Sequence, residues 1–529
     1  MSTELLTVKF GLSGGTLDIF YLHDVFINFA INSIPYSIVK LKSKINAAGN
    51  ITDKEGAEFE LMKPGNELVI MRDNRVLFSG VIVERSFIIE KELKQLTIKA
   101  SHKLQSLCTL FRSQLFTRQT DAAIIKAILN DHKITSAAIE NLNVKHEQMV
   151  QYNCFDWHFL ISRLNASSVW LMPTAQKITI KKPSLKGSVK KVELSNNVDI
   201  FHASLRQSNK YLSQNIEASS WNIARQEMSK SSKAVSLFPG EEAMSVKKLN
   251  PLNAKPSQIS HSLELQQGEQ VAWSDSRLLA LEMTAIQGEV EVEGDLSYDL
   301  GQGLSLENFG KPMDGKALIT GITQHFTPYQ WRTRLTLGTE WIPDIHAGMV
   351  PAVDGLHIGI VAENSQGPDD NHCFKVHLPA LSASKTVLAR LASPFASKDS
   401  GINFYPEKGD EVMIGFLEDD PRFPIILGAV HNPKNKAPKS ELAQGPGIVI
   451  KNKGKTQSLL IHPNKGIILE EKKGGDTASL ILGGGELQAG LSKSAQVTAK
   501  GTINIESSGA LNANGRTVKI KGTKVDINQ

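Results

Sequence analysis

The residues of this sequence best suited to acid–base chemistry are three consecutive carboxylates, Glu418, Asp419 and Asp420. A glycosidase holds two carboxyl groups on opposite sides of the scissile bond, in a cleft that a folded domain must supply. Consecutive carboxylates in a turn lack that separation, and such groups are usually solvated. We therefore predict no catalytic residues in this cluster.

Histidine and cysteine could bind a metal ion, but their spacing does not favour a site. His372 and His377 are five residues apart on a predicted strand, so their side chains should point to opposite faces. Cys108, Cys154 and Cys373 are widely separated, as is typical of small buried side chains in a reducing compartment. The sequence therefore predicts no bound metal and no disulfide framework.

Two glycine clusters, at 14–15 and 483–485, could in principle cradle a phosphate group. A phosphate-binding loop also needs a Lys-Ser or Lys-Thr pair that opens a helix, and neither cluster is followed by one. We interpret both clusters as turns and predict no cofactor.

Length and composition predict several soluble domains. The chain has 529 residues, of which 41% are hydrophobic and 21% are charged, and this length exceeds what one hydrophobic core usually serves. No run approaches the roughly 18 apolar residues that a membrane span requires. The first four residues lack the basic start and apolar stretch of a secretory signal. We expect synthesis in the cytoplasm and export by another route.

The net charge of +5 is concentrated near the C-terminus. Residues 446–529 contain 12 Lys or Arg and 6 Asp or Glu, but no Phe, Tyr, Trp or Cys. A protein that binds single-stranded nucleic acid needs aromatic rings on which the bases stack. We therefore interpret the charge as a solvated face that discourages edge-to-edge association, and we expect no nucleic-acid partner.

The same segment alternates short β-branched runs with turns rich in Gly and Asn. The runs lie at 448–450, 458–461, 467–469, 479–482, 502–505, 518–520 and 525–527. Each run offers a thin apolar stripe without large side chains, so a single copy cannot bury a core of its own. We predict that residues 446–529 form a triple-stranded β-helix, a needle built by three identical chains around one axis.

Residues 351–432 have the pattern of a small all-β module. A Pro-x-x-Gly-Asp-Glu-Val turn at 406–412 opens a strand in which Val412, Ile414 and Phe416 should alternate inward. Together with a strand ending in Val-x-x-Pro and an Asp-Pro-x-x-Pro-x-Ile strand, this turn resembles the OB-fold that precedes the needle in the VgrG family and in contractile phage spikes. The resemblance implies a collar between hub and needle, with a linker at 433–445.

The region 1–345 resembles the hub of the same family. A hairpin is predicted around Asp73 and Asn74, and Thr120 or Asp121 can cap a helix. The run 151–164 is similar to a hub signature in which Gln-Tyr precedes an Asp, an apolar pair and Arg-Leu, and it predicts a second helix. The acidic residue usual before that Asp is absent here.

A further helix is predicted to start near Trp273, followed by strands at 317–323 and 331–337. These elements would complete a second hub barrel. The overall prediction is a mainly β protein with some α, composed of two hub β-barrel domains with helical insertions, an OB-fold and the needle.

The resemblance implies the central spike of a contractile injection system. Such a homotrimeric hub would join the tail tube and baseplate to a needle that contacts the target membrane mechanically. Some phage spikes carry a lysozyme domain between OB-fold and needle, but the linker at 433–445 has no room for one, so we predict no enzyme activity. The short needle with irregular glycines, and the absence of an appended domain, favour an extracellular phage-tail-like particle over a type VI VgrG spike or effector carrier.

The end of such a needle would leave unpaired backbone groups and apolar side chains. This predicts contact with a PAAR-type tip protein through the last five residues, Val525, Asp526, Ile527, Asn528 and Gln529. A different interpretation is an OB-fold adhesin that binds surface glycans and uses the β-tail as a stalk. The sequence offers no identifiable aromatic platform for that role.

Overall fold

The computed structural model describes residues 6–11, 17–44, 53–90, 93–187, 189–193, 200–236, 238, 249–253, 255–310, 313–340, 349–362, 373–381, 385–402, 404–439 and 445–526. Strands dominate these residues, as the sequence predicted. The chain divides into two compact units, Met1–Val430 and His431–Gln529.

The first part of the hub is a sheet with one short helix. Its elements are β1 (Leu6–Phe10), β2 (Tyr21–Ala30), β3 (Tyr36–Lys44), α1 (Asp53–Leu61), β4 (Glu67–Arg72), β5 (Arg75–Glu90) and β6 (Leu93–Ser101). The predicted hairpin is present between β4 and β5, and Asp73 and Asn74 both have positive φ, at 47° and 63°. Such a turn matches the twist of the two strands it joins.

A helical insertion follows a short 3₁₀ helix at Lys103–Cys108. It consists of β7 (Phe111–Thr120), α2 (Asp121–Asp131), β8 (Ala137–Ile139), β9 (Lys145–Phe155), α3 (Asp156–Ala166), β10 (Trp170–Pro173) and β11 (Ile178–Lys181). Thr120 caps α2 as predicted, because its side chain accepts a hydrogen bond from the Ala123 amide. The helix predicted at 151–164 begins only at Asp156, since residues up to Phe155 pair with β7.

The second part of the hub contains α4 and most of the remaining strands. In chain order these are β12 (Val189–Glu193), β13 (Ile200–Gln207), β14 (Ile216–Asn222), β15 (Glu227–Met228), β16 (Ser232–Lys233), β17 (Ser257–His261), α4 (Gln267–Met283), β18 (Ile286–Glu293), β19 (Gly303–Glu307), β20 (Gly315–Phe326) and β21 (Trp331–Leu337). The helix predicted near Trp273 starts six residues earlier, at Gln267.

One continuous sheet joins the two parts of the hub. Its order is β1-β4-β5-β6-β3-β2-β20-β21-β18-β13, with β19 beside β20 and β12 beside β19. Two separate cores pack on it, one around Phe10, Phe78 and Leu96 and the other around Leu304, Leu318 and Leu335. Strand β20 contributes to both cores and is therefore the seam of the hub.

The OB-fold is a closed five-stranded barrel. Its region contains β22 (His357–Val361), β23 (Cys373–His377), β24 (Val387–Leu391), β25 (Ala396–Ser397), β26 (Ser400–Gly401), β27 (Glu411–Phe416) and β28 (Pro424–Ala429). The barrel closes in the order β22-β23-β24-β28-β27. Val412, Ile414 and Phe416 are all buried, which confirms the predicted alternation in β27.

The C-terminal unit is an antiparallel meander of β29 (Gly447–Asn452), β30 (Lys455–His462), β31 (Gly466–Lys473), β32 (Asp476–Gly483) and β33 (Glu486–Leu491). The four runs predicted between 448 and 482 are strands. The runs predicted at 502–505 and 518–520 form no strand here, nor do residues 525 and 526 of the run at 525–527, because residues 492–526 form no ladder within a single chain. Ile527 lies outside the described residues. A strand needs a neighbouring backbone to satisfy its amide and carbonyl groups.

Candidate functional sites

A buried ionic network joins the OB-fold to the hub helices. Asp420 follows a short 3₁₀ turn at the end of β27, and Arg422 lies two residues later. Both side chains are 4% exposed. The prediction that this acidic turn is solvated is therefore wrong for Asp420, because an arginine and the hub surface cover it.

Arg422 binds carboxylates from both domains. Its Nε donates to both Asp420 oxygens at 3.0 Å, and its Nη2 donates to Asp420 Oδ2 at 2.7 Å. Its Nη1 donates to Glu269 Oε1 of α4 at 2.6 Å. Burial alone would lower the pKa of Arg422, but Asp420 and Glu269 raise it above its ordinary value. The guanidinium therefore remains charged in the interior.

The network continues to α3 and α2 through Arg163. This side chain, 1% exposed, donates from Nε and Nη2 to the two oxygens of Asp121 at 2.8 and 2.9 Å. Its Nη2 also lies 3.7 Å from Glu269 Oε1. His146 and Ser167 complete the coordination of Asp121, at 3.1 and 2.9 Å. Asp121, His146 and Ser167 lie on α2, on β9 and just after α3, all within the helical insertion.

The two hub carboxylates are ionised because arginines face them. Burial would raise the pKa of Asp121, but Arg163 and His146 hold it well below its usual range. Burial would likewise raise the pKa of Glu269, and Arg422 and Arg163 lower it. Each buried charge thus has an opposite charge within the same chain, which is the condition for tolerating it in the interior.

Apolar contacts reinforce the same junction. Leu115 of β7 and Val150 and Tyr152 of β9 belong to the hydrophobic core of the OB barrel. Lys385, beside β24, donates to the Leu115 carbonyl at 2.8 Å. The Gln148 side chain of β9 donates to the Arg422 carbonyl at 2.5 Å. The paired strands β7 and β9 therefore contribute side chains to the core of the barrel.

Glu418 adds a histidine contact at the edge of the junction. Its Oε2 lies 3.2 Å from His261 Nε2, and its Oε1 accepts from the Ser262 amide at 2.7 Å. Burial lowers the pKa of His261, although Glu418 opposes that shift. Of the predicted acidic cluster, Glu418 therefore contacts the hub residues His261 and Ser262, whereas the Asp420 carboxylate binds Arg422 of the OB-fold itself.

A second chain of polar residues has the types found in serine hydrolases. Ser106 Oγ lies 2.9 Å from His132 Nδ1, and His132 Nε2 lies 2.7 Å from Asp156 Oδ2. The Ser106 hydroxyl donates to the Lys103 carbonyl at 2.9 Å, so its proton is not directed at the histidine. Asp156, completely buried, also accepts from Arg112 Nε at 2.8 Å. The arrangement ties the start of α3 to the end of α2.

The C-terminal sheet presents one strongly apolar face. Cross-strand neighbours place Ile448, Leu459, Leu469 and Leu480 in one row, and Ile461, Ile467, Leu482 and Leu487 in another on the same face. The exposed aliphatic residues of the sheet all belong to this face, and they are Ile448, Ile450, Leu459, Ile461, Ile467, Leu469, Leu482, Leu487 and Leu491. Apolar patches of this kind are rare on monomers and mark contact surfaces.

The predicted tip residues are only partly described. Val525 is 48% exposed and Asp526 forms an ion pair with Lys524 at 2.7 Å. Ile527, Asn528 and Gln529 lie outside the described residues, as do His372 and the glycines at 14–15. The cluster at 483–485 forms the β32–β33 turn, with positive φ at Gly484 and Gly485.

Within the described ranges, no group of three or more His, Cys, Asp and Glu side chains has an arrangement suited to a metal ion. In the same ranges, every helix is too short or too polar to cross a bilayer.

Two protein families match different parts of the sequence. Residues 2–327 match the family described as the Alg8 N-terminal domain. Residues 357–431 match the type VI secretion system/phage-baseplate injector OB domain. The second match covers the closed barrel and thereby confirms the predicted OB-fold. Among curated proteins, no sequence matches this chain significantly.

Solved structures share the fold at low sequence identity. The E. coli c3393 protein, described as a type VI secretion component similar to the T4 bacteriophage tail proteins gp27 and gp5, has a TM-score of 0.51 at 12% identity, covering 80% of this chain and 99% of its own. A chain of the lidded Francisella PdpA–VgrG complex has a TM-score of 0.57 at 10% identity, with coverages of 92% and 79%. The likeness confirms the predicted resemblance to VgrG-like hub-and-spike proteins in fold.

Proposed function

This chain belongs to the family of the Alg8 N-terminal domain, and we propose that it is the central spike of a contractile injection system. In this role three copies form a hub beneath the tail tube and baseplate, and their C-terminal segments form one needle. The matching injector OB domain and the hub-and-spike fold support the assignment. The protein acts mechanically, without catalysis.

The observation that carries the proposal is the apolar face of the C-terminal sheet. Its exposed aliphatic side chains have nothing to pack against within the sheet, whereas three copies around an axis would bury them against each other. The same assembly would supply neighbouring backbones to residues 492–526, where the apolar side chains of Val497, Ile505 and Ile520 are also exposed.

The buried network suits the transmission of force. Arg422 and Arg163 link the OB-fold to three hub elements through charged hydrogen bonds that are shielded from water. We expect these bonds to resist separation of the OB-fold from the hub helices under load.

Two finer features of the assignment concern the ends of the particle. A tip protein of the PAAR type would cap the needle at Val525 to Gln529, where a trimer would leave unpaired strand ends. The short meander of five strands favours an extracellular phage-tail-like particle over a type VI spike. Puncture of the target membrane would follow from contraction that drives this end forward.

The assignment is tested by the mass of the purified protein in sedimentation equilibrium. The full chain, 57.9 kDa per copy, should sediment as a trimer. A chain ending at Gly445 should sediment with the mass of fewer than three of its own copies. A full-length protein that remains monomeric at micromolar concentration would contradict the proposal. If the truncated chain is still a trimer, the contact between copies lies before residue 446.

A glycan adhesin is the second candidate, and one observation favours it. Phe395 and Phe404 on the OB-fold are 52% and 56% exposed, and Tyr405 is 39% exposed, so aromatic rings of the kind that stack on sugars are present. Glycan-array binding that disappears in Phe395→Ala/Phe404→Ala, while the trimer persists, would support an adhesive role.

A further inference from the structure

A cavity of about 400 Å³ lies in the hub, lined by the β4–β5 turn, the β10–β11 turn and the loop before β19. Its floor is apolar and includes Leu77 and Ile322, which are both 7% exposed, and Leu300, which is 9% exposed. The size lies in the range of pockets that bind small molecules or single peptide side chains.

Two tight turns form its rim and each supplies a cation. Arg75 opens β5 after the Asp73–Asn74 turn, and Lys177 closes the turn between β10 and β11. Both residues are exposed, and among the described residues neither side chain has an acidic partner. The Asp73 carboxylate of the same turn pairs with Arg72, whose Nε lies 3.5 Å away.

The loop between β18 and β19 adds two polar residues to the lining of the cavity. One is Asp299, whose carboxylate has no ion pair in the described part of the chain. Tyr298, half-buried beside it, has a hydroxyl that makes no hydrogen bond to a described residue. A uniformly anionic polymer would be repelled by Asp299. A peptide can present a carboxylate to Arg75 and Lys177 and amide N–H groups to Asp299.

We propose that this cavity binds an acidic peptide segment of another protein, with a large apolar side chain on the floor and a carboxylate between Arg75 and Lys177. The Arg75 turn joins two strands of the hub sheet, and the Lys177 turn joins β10 and β11 of a separate three-stranded sheet, so strand pairing fixes the backbone of both turns. The inference is independent of trimer formation by the C-terminal sheet.

The test uses the full chain and a fluorescein-labelled hexapeptide, Gly-Asp-Phe-Asp-Leu-Gly, in fluorescence anisotropy. The peptide should bind, and an analogue with Asn in place of both Asp residues should bind about tenfold more weakly, because two rim cations lose their partner. Binding should also weaken with added salt. Equal affinity for the two peptides, or no binding of either, would overturn the proposal.

Three variants locate the site. Arg75→Glu/Lys177→Glu should weaken binding of the acidic peptide by about tenfold or more. Ala175→Trp, in the rim turn, should fill the cavity and so lower the affinity for both peptides. Lys126→Glu/Lys230→Glu changes charge equally at exposed positions elsewhere and should leave the affinity unchanged. Circular dichroism and thermal unfolding confirm that each variant is folded.

Unchanged binding in the Arg75→Glu/Lys177→Glu variant would place the peptide elsewhere and refute the inference. Equally strong competition by 3-phenylpropionate would show that a small carboxylic acid suffices and would overturn the peptide assignment. If polyphosphate competes better than the acidic peptide, the site is a polyanion site and the proposal fails.

Discussion

The junction between hub and OB-fold and the C-terminal sheet solve opposite packing problems. The junction buries arginines and carboxylates, and every one of these charges has an opposite charge in the same chain. The sheet leaves aliphatic side chains exposed on one face. Within one chain the charges of the junction are therefore paired, whereas the aliphatic side chains of the sheet remain exposed. In the proposed assembly, neighbouring copies would cover them.

The largest effect is expected from a charge at the centre of the apolar face. Leu469→Glu would place a carboxylate in the row of Ile448, Leu459 and Leu480, and three copies would each bury it against the others. We expect the sedimenting mass to fall from three chains to one. Ser479→Glu puts the same charge on the opposite face of the sheet and should leave the trimer intact.

A trimer that survives Leu469→Glu would contradict the proposal that the exposed apolar face is a contact between copies.

A smaller effect, confined to one chain, is expected at the junction. Arg422→Met keeps much of the side-chain volume but leaves Asp420 and Glu269 buried without their shared partner, at a cost of about 3–5 kcal/mol. Thermal unfolding should show this loss, whereas the sedimenting mass should stay unchanged. Removing both carboxylates as well, in Asp420→Asn/Glu269→Gln/Arg422→Met, should restore part of the stability.

Arg118→Met provides the matched control, because Arg118 and Glu147 form an ion pair in which both side chains are 77% exposed. It should cost less than about 1 kcal/mol. An equal loss in the two variants would show that burial does not distinguish the Arg422 pair.

The third expected effect is a pH dependence of the free energy of unfolding, and it arises from His102 in the hub. Burial lowers the pKa of His102 to about 4, so the unfolded chain takes up a proton at a higher pH than the folded chain does. The contribution of His102 is fully present above pH ~6.5 and is lost as the pH falls towards 4, amounting to about 3 kcal/mol. His102→Asn should remove this part of the slope in urea unfolding between pH 7 and 4.

The free energies of unfolding of His102→Asn and the parent are also compared at pH 8, where His102 is neutral in the folded and the unfolded chain. A difference at that pH reports packing, not titration. Truncation at Gly445 should retain the slope, because every titratable side chain described in 445–526 is at least partly exposed. A slope that disappears with the C-terminal segment would contradict an origin in the hub.

Much of the fold could be predicted from sequence because its local signals agree with its tertiary contacts. The Asp73–Asn74 turn, the Thr120 cap and the alternation of Val412, Ile414 and Phe416 each depend on neighbouring residues. The helix boundaries near Asp156 and Gln267 were misplaced for the opposite reason. Residues 151–155 have helical periodicity but pair with β7, a partner about forty residues away in sequence.

The buried network could not be predicted because its partners are distant in sequence. Glu269 and Arg422 are 153 residues apart, and Asp420 looked like a solvated turn residue until the hub covered it. One signal was available. Arg163 lies on the same helical face as Phe159, four residues earlier, and a charge at an apolar position indicates a buried partner.

Strand β20 carries one more consequence, for synthesis on the ribosome. Strand β2 pairs with β20 from Val25 to Ala30. Val25 can therefore pair only after Phe326, 301 residues later in the chain, has been synthesised. At roughly 5–20 residues per second the interval is about 15–60 s. Throughout that time the edge of β2 that β20 later covers has no partner strand, and we expect the nascent hub to need protection from pairing with other chains.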